Sequence, residues 1–192
     1  CLDNEKYYFD TLVHGIYLLN EQFSLEYLLS IINSKPATIF YRLLHDIKGK
    51  VFAKVSLDNL SSFPLPEANA TIKQTLEEKA RFLMLKSKQL HETAQKFQRN
   101  LQREYSLEKL SAKLENWFQT PFNEFLKELE KSKVKLTLSQ KAEWEDYFLK
   151  EQKKALDIKQ QIDTTDKEID QMVYQLYGLT DEEIAIVENS NQ

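Results

Sequence analysis

Residues 76–101, LEEKARFLMLKSKQLHETAQKFQRNL, decide the fold class of this chain. Apolar and small residues recur in them at alternating steps of four and three: Leu76, Ala80, Leu83, Ser87, Leu90, Ala94, Phe97 and Leu101. This alternation is the heptad pattern of a helix that packs lengthwise against another helix. Leu and Phe fill one of the two core positions, and mostly small residues fill the other. The pattern therefore predicts a long helix whose small residues allow a close approach by its partner.

A second heptad pattern near the other end of the chain supplies that partner. Its members fall every seven residues: Phe148, Ala155, Ile162, Ile169 and Leu176, with Trp144, Ile158 and Met172 as neighbours. The connector between the two patterns is too apolar for a disordered linker, since it holds Trp117, Phe118, Phe122, Phe125 and Leu126. Ser106, Thr120-Pro121 and Ser139 are candidate helix caps and starts within it. We expect an antiparallel, coiled-coil-like helical hairpin with short helices packed as a cap.

The composition excludes several classes of protein. The 192 residues include 3 Gly, 4 Pro and 1 Cys. One cysteine cannot form an internal disulfide, and three glycines leave no phosphate-binding loop and disfavour a fold with many tight turns. With 26 basic against 30 acidic residues, the chain is mildly acidic. This balance argues against a wholly basic nucleic-acid coat but not against a local basic patch.

The first 66 residues differ from the rest in having strand-like stretches and turn residues. Residues 7–19, YYFDTLVHGIYLL, and residues 51–55, VFAKV, are rich in the aromatic and β-branched residues typical of strands. Between them Ser24 occupies a helix N-cap position, and the helical pattern that follows contains Pro36, which predicts a kink or two helices. Residues 63–66, FPLP, predict an extended exit. We expect a small α+β unit here, joined to a mainly α remainder.

The end of the chain has the sharpest helix boundaries. Gly178 suits the left-handed position that ends a helix, and Thr180 with Glu183 forms a capping box for the next one. The expected division is residues 1–66 as one domain and residues 67–192 as a helical domain. Within the second we expect a long helix over about 70–105, short helices over about 106–133, a long helix over about 139–178 and a short helix over about 181–188.

Three stretches of the chain, in this order, resemble parts of bacterial restriction-modification proteins. Residues 27–35, YLLSIINSK, resemble the LLxxLNSK helix of TaqI-like target-recognition domains, and residues 55–66 resemble the stretch that closes such a domain. Residues 168–188 resemble the C-terminal end of the fused adenine-N6 methyltransferase and restriction enzymes called type IIG, and of their phage-defence methyltransferase relatives. The resemblance covers nearly the whole chain. It implies the distal part of a TaqI-like target-recognition domain over residues 1–66, followed by a helical spacer.

The resemblance implies a module that recognises a DNA sequence and does not itself catalyse. The Asn/Asp-Pro-Pro-Tyr/Phe motif and the glycine-containing S-adenosylmethionine loop of such methyltransferases are missing, so we expect no cofactor in this chain. S-adenosylmethionine would bind the missing methyltransferase domain of a parent protein, a site-specific DNA adenine-N6 methyltransferase with or without endonuclease activity. The implied partners are double-stranded DNA and that methyltransferase domain, in the cytoplasm and away from a membrane.

Basic residues around Gly49 are the candidate DNA contacts: Lys35, Arg42, Lys48, Lys50 and Lys54. A cluster of this size can contact several phosphates, which orient a protein on DNA without reading its sequence. Without the resemblance, an ordinary solvated loop explains these residues equally well. We find no catalytic constellation and no metal-site spacing, because the three histidines are scattered and paired carboxylates such as Glu77-Glu78 fit a solvated helix face.

Two alternatives concern the start of the chain and its helices. Cys1 indicates either a piece excised from a longer protein or a mature bacterial lipoprotein with a lipidated cysteine. The first is favoured, because folded-looking sequence begins within a few residues and leaves no polar tether. In the second, the chain is a coiled-coil interaction or scaffold protein of the envelope, with residues 1–66 for docking. A heptad pattern can close within one chain or between two, so self-association through the helices stays open.

Overall fold

Helices make up most of what the computed structural model describes, which is residues 15–18, 22–44, 60 and 62–190. Their bounds are α1 Leu25–Ile32, α2 Lys35–Leu44, α3 Ala70–Tyr105, α4 Ala112–Glu115, a 3-10 helix Trp117–Gln119, α5 Phe122–Lys131, α6 Leu138–Tyr177 and α7 Asp181–Asn189. The described residues contain no strand. The predicted mainly α fold is confirmed, with α3 and α6 as the two long helices and short helices between them.

The strands predicted near the N-terminus lie largely outside the described residues. Residues 7–14, residue 19 and residues 51–55 belong to that part of the chain, and so does Gly49. Residues 15–18, the described remainder of the first predicted strand, form no regular secondary structure.

A side-chain cap starts α1, and a proline lies in the first turn of α2. The Oγ of Ser24 accepts a hydrogen bond from the Tyr27 N–H at 3.1 Å, so the predicted N-cap is confirmed. Helix α1 ends at Ile32 and α2 begins at Lys35, which confirms the expectation of a kink or two helices. Pro36 lies in the first turn of α2. A helix leaves its first N–H groups without partners inside the helix, so a residue that lacks an N–H is tolerated there.

The ends of the later helices agree with the sequence in part. The capping box of Thr180 and Glu183 is present at the start of α7. The cap of α6 is Thr137 rather than Ser139: the Thr137 N–H donates to the Gln140 side chain at 2.9 Å, and the Gln140 N–H donates to the Thr137 hydroxyl at 3.3 Å. Ser106 follows the last residue of α3 with a φ of 51°. It therefore ends a helix and does not begin one.

The chain divides into two compact units, one of residues 1–84 with 165–192 and one of residues 85–164. In the first unit, one cluster of buried residues joins α1, α3 and α6: Tyr27, Ile31, Leu76, Ile169 and Val173. A second cluster joins α2, α6 and α7 through Ile39, Tyr174 and Val187. The short helices near both ends of the sequence therefore share a core with the long ones.

The core of the second unit is aromatic. Phe97 of α3 lies between two stacked rings, Trp117 at 3.8 Å and Tyr147 at 5.5 Å between ring centroids. The indole N–H of Trp117, which is fully buried, donates to the Ala94 carbonyl at 3.4 Å. Phe118, Phe125 and Phe148 are also buried in this cluster. The apolar connector thus supplies much of the core.

Within the second unit the two long helices run antiparallel. Phe97 contacts Phe148 at 5.9 Å, whereas Tyr105, further along α3, contacts Trp144, which is earlier on α6, at 5.6 Å. The small residues of the heptad pattern do not behave alike: Ala80 and Ala94 are buried, but Ser87 is exposed. The prediction that Ser87 faces the partner helix is wrong. In the described residues, no helix is long and apolar enough to cross a membrane.

Candidate nucleic-acid interface

The segment Asn33-Ser34-Lys35, which carries the resemblance, is the turn between α1 and α2. The Asn33 N–H donates to the Leu29 carbonyl at 3.2 Å and so closes α1. The buried Ser34 hydroxyl donates to the Ile31 carbonyl at 2.7 Å, and at 3.4 Å it accepts from the Ala37 N–H in the first turn of α2. Ser and Asn suit these positions because their short side chains hydrogen-bond nearby backbone groups.

Lys35, the first residue of α2, is held to the C-terminal end of the chain in two ways. Its backbone N–H donates to the Asp170 carboxylate at 2.8 Å. Its ammonium forms an ion pair with Glu188 of α7, and the side chains of Lys35 and Glu188 are 34% and 41% exposed. The Glu188 carboxylate also accepts a hydrogen bond of 2.7 Å from the Tyr174 hydroxyl. The positive charge of Lys35 is thus compensated within the structure.

The charges around Lys35 shift the pKa values of its partners in opposite directions. The hydrogen bond from Lys35, followed by the one from Tyr174, lowers the pKa of Glu188. Burial raises the pKa of Asp170, although the Lys35 N–H partly opposes this effect. Burial, and next the contact with Glu188, raises the pKa of Tyr174. Glu188 is therefore the charged partner of Lys35, whereas burial disfavours the charged form of Asp170.

Of the other predicted DNA contacts, only Arg42 lies among the residues that the structure describes. Arg42 lies in the last turn of α2 and is exposed. It follows Lys35 by seven residues, so the two side chains leave nearly the same side of the helix, about two turns apart. Lys48, Lys50 and Lys54 lie outside the described residues, as do His14 and His45. The clustering of the five basic residues therefore stays a prediction.

Other basic side chains of the first unit are engaged in local contacts. Lys79 forms an ion pair with Glu168 at 2.6 Å, and Arg81 contacts both Glu26 and Glu77. Lys73 lies 5.0 Å from the centre of the Phe23 ring. Such exposed pairs contribute little to stability, but each lowers the local positive potential. Among the described residues, no group of three His, Cys, Asp or Glu side chains could hold a metal ion.

The extended exit at residues 63–66 is fastened by two tyrosines that the sequence did not single out. The hydroxyl of Tyr27, in α1, donates to the Pro66 carbonyl at 2.7 Å. The hydroxyl of Tyr177, the last residue of α6, donates to the Pro64 carbonyl at 2.8 Å. Phe63 and Leu65 pack against the buried cluster of the first unit that contains Tyr27, Ile31, Leu76, Ile169 and Val173, here called the Tyr27 cluster. This stretch therefore packs against the core and is not a free linker, a fact that proline composition alone does not reveal.

Comparison with known proteins divides the chain close to this exit. Residues 1–65 match the TaqI-like C-terminal specificity domain. Residues 69–173, more than half of the chain, match a family described as a domain of unknown function (DUF8810). No curated protein and no solved structure matches the chain. The chain therefore belongs to this family of unknown function, DUF8810, and the residues in front of it match the TaqI-like C-terminal specificity domain.

Proposed function

We propose that this chain is the DNA-recognition and spacer portion of a bacterial restriction-modification protein. The observation that carries the proposal is the match of residues 1–65 to a TaqI-like specificity domain, since such a domain selects a DNA sequence and does not catalyse. The order of the two matches, specificity domain and then the family that the largely helical residues 69–173 match, is the order that the resemblance implies. We divide the chain at Pro66, into a recognition portion over 1–66 and a spacer over 67–192.

The finer identity that we propose is a type IIG protein, an adenine-N6 DNA methyltransferase with or without endonuclease activity. In this proposal, S-adenosylmethionine and the methyl transfer belong to a methyltransferase domain of the parent, which the spacer would contact. The partners of this chain are double-stranded DNA and that domain, in the cytoplasm.

In this proposal the DNA phosphate backbone is contacted by five basic residues: Lys35, Arg42, Lys48, Lys50 and Lys54. A phosphate that binds the Lys35 ammonium competes with the Glu188 carboxylate, so the contact exchanges one anion for another. The exposure of both side chains keeps that exchange inexpensive, because an exposed ion pair is worth roughly 0–1 kcal/mol. Glu188 then acts as a competitor of the phosphate for the same ammonium group.

The fastening of the exit at residues 63–66 supports the spacer role. Hydrogen bonds from Tyr27 and Tyr177 tie this stretch to α1 and to the end of α6. A recognition portion joined in this way moves with the adjoining ends of the long helices in the first unit. A spacer must transmit position, and a connection through the core does this where a flexible linker does not.

DNA binding by the full chain, measured against salt concentration, tests the proposal. We expect weak binding to duplex DNA whose logarithm falls linearly with the logarithm of salt concentration, by about 0.9 per phosphate contact. Lys35→Ala should lower that slope by about one unit. Glu188→Gln should raise affinity by about threefold, because it releases Lys35 from an exposed pair.

Lys113→Ala is the matched control, since Lys113 also pairs with one glutamate, Glu124, at 2.8 Å but belongs to the second unit. Its affinity for DNA should equal that of the unchanged chain. The proposal fails if the full-length gene product neither binds duplex DNA nor methylates adenine. If DNA binds but Lys35→Ala and Lys113→Ala behave alike, the assignment of Lys35 as a contact is wrong.

A further inference from the structure

An open cleft of about 310 Å³ lies between α3 and α6 in the second unit. Five residues line it: Asn100 and Glu104 from α3, and Glu143, Trp144 and Tyr147 from α6. Aromatic rings and carboxylates therefore face the same space. None of these residues enters the proposed contact with DNA.

The aromatic wall of the cleft is fixed by the core behind it. Trp144 and Tyr147 lie 5.7 Å apart, with their ring planes at 73° to each other. Phe97, which is 1% exposed, stacks on Tyr147 and meets Trp144 edge-on at 6.0 Å. The Tyr147 hydroxyl accepts a hydrogen bond of 2.8 Å from the Asn100 amide. A ligand of this wall therefore meets rings that need no reordering, which lowers the entropic cost of binding.

The rim of the cleft is negatively charged. Glu104 and Glu143 form no ion pair among the described residues. The Glu143 carboxylate accepts only a long hydrogen bond of 3.3 Å from the neutral Ser139 hydroxyl. Other glutamates of the same unit do pair with lysines: Glu124, Glu128, Glu130 and Glu151. The two carboxylates at the cleft thus lack the compensation that their neighbours have.

We propose that this cleft binds the guanidinium group of an arginine, presented by a basic segment of a partner protein. A cation over an aromatic face is attracted by the negative electrostatic potential that the ring quadrupole creates there, and tryptophan is the best such face. A guanidinium can stack flat on the Trp144 indole while its N–H groups reach Glu104 or Glu143. A lysine ammonium lacks both the planar stacking and the forked donors.

The same features exclude a nucleic acid as the occupant of this cleft. Two carboxylates beside a half-buried aromatic ring repel phosphates, whatever the ring gains from stacking on a base. The cleft therefore serves protein association, and DNA contact belongs elsewhere on the chain. This assignment is independent of the proposed DNA recognition by residues 1–66.

Titration of the full chain with a capped peptide of four arginines tests the proposal, with the two tryptophan indole N–H signals followed by NMR. Trp144 lines the cleft, whereas Trp117 is fully buried and serves as an internal control. We expect the Trp144 signal to move and the Trp117 signal to stay. Glu104→Gln and Glu143→Gln should each weaken binding by about threefold, the effect of losing one exposed ion pair.

Glu145→Gln is the matched control, because Glu145 is exposed on α6 but does not line the cleft. It should leave the affinity for the peptide unchanged. The proposal is wrong if the Trp144 signal does not respond to the peptide, or if the double variant Glu104→Gln/Glu143→Gln binds as tightly as the unchanged chain. Equal binding of a four-lysine peptide would overturn the guanidinium assignment, and a Trp144 shift with a single-stranded oligonucleotide would overturn the exclusion of nucleic acid.

Discussion

The Asp170 carboxylate accepts a hydrogen bond of 2.8 Å from the backbone N–H of Lys35, 135 residues earlier in the chain. This N–H is at the first position of α2 and has no acceptor within its own helix. A residue of α6 thus adds to the local cap of α2, in which the Ser34 hydroxyl accepts from the Ala37 N–H. The turn that resembles the TaqI-like domain is thereby held to the C-terminal part of α6.

Asp170→Asn should give a protein that is at least as stable as the unchanged chain at pH 7. Asparagine keeps an oxygen acceptor for the Lys35 N–H but carries no charge. Burial raises the pKa of Asp170, so its folded value exceeds the unfolded value. The contribution of Asp170 to the free energy of unfolding is therefore fully present below its ordinary pKa of 3.8, and it is lost as pH rises through the folded pKa. The variant should lack that fall, which urea midpoints at pH 3 and pH 7 would reveal.

Asp170→Ala separates the hydrogen bond from the charge. It should be less stable than Asp170→Asn by about 1 kcal/mol, the usual net contribution of one hydrogen bond. Equal stability of the two variants would mean that the hydrogen bond to Lys35 contributes nothing.

Tyr177→Phe should loosen the exit at residues 63–66 and alter the response to alkali. Loss of the hydrogen bond to the Pro64 carbonyl should cost about 1 kcal/mol at pH 7. Burial raises the pKa of Tyr177 to about 12 from an ordinary value of 10.0. Because the folded pKa is the higher one, its contribution is complete below pH 10 and is lost as pH rises towards 12. Phenylalanine has no such titration, so denaturation curves across this window should show a shallower loss.

Tyr17→Phe is the control for this alkaline effect, since Tyr17 is 79% exposed. Its stability curve should follow that of the unchanged chain. A steep alkaline loss that survives in Tyr177→Phe would place the effect at other tyrosines, of which Tyr27 and Tyr174 also have raised pKa values through burial.

The helices were predictable because their signals are local. Gly178, with Thr180 and Glu183 after it, marks a stop and a start within six residues, and such a signal depends on no distant contact. The heptad spacing likewise indicates which face of α3 is apolar. The error at Ser87 has a simple origin: a pattern assigns a residue to a face but does not show that a partner covers that face at every turn. A straight helix also drifts by about 20° per heptad from a strict seven-residue repeat.

The contacts that matter for the candidate site depend on distant parts of the chain. Nothing near Asp170 or Glu188 indicates that they meet Lys35, because such pairing follows from the tertiary fold. Glu188 belongs to the C-terminal stretch that resembles type IIG proteins, and that resemblance does not indicate its partner. The stacking of Trp117 on Phe97 could not be predicted for the same reason. The aromatic content of the connector indicates only that it packs against other helices.

Ile169→Ala should destabilise the chain more than Ile162→Ala, although both belong to the same heptad pattern. The pattern alone predicts that Leu83, Leu90, Ile162 and Ile169 all hold the hairpin closed. Ile169 is 4% exposed in the Tyr27 cluster, whereas Ile162 is only half-buried. Truncating a buried isoleucine costs about 2–5 kcal/mol, and the cost falls with the area already exposed. Leu149→Ala, at a residue 48% exposed, is the control and should cost about 0.5 kcal/mol or less. Equal losses for the two isoleucines, by urea denaturation, would refute the ranking.

Three helices end in the same way, at Ser106, Lys133 and Gly178. Substitutions at Lys133 and Gly178 should change stability in opposite directions. All three residues have a positive φ, of 51°, 64° and 63°. At each, the next N–H reaches a carbonyl five residues back at 3.0 Å, which is the Schellman arrangement. The left-handed conformation strains a side chain with a Cβ, whereas glycine adopts it freely.

Lys133→Gly should therefore stabilise the protein by about 0.5–1 kcal/mol, because relief of the strain exceeds the added freedom of the unfolded chain. Gly178→Ala should destabilise it by about 1 kcal/mol. A Cβ at Gly178 meets no atom within 4 Å, so the cost is one of backbone conformation and not of collision. Lys135→Gly, which is nearby but lacks a positive φ, should be slightly destabilising. If thermal denaturation shows Lys133→Gly to be the less stable protein, backbone strain does not set the stability of these helix ends.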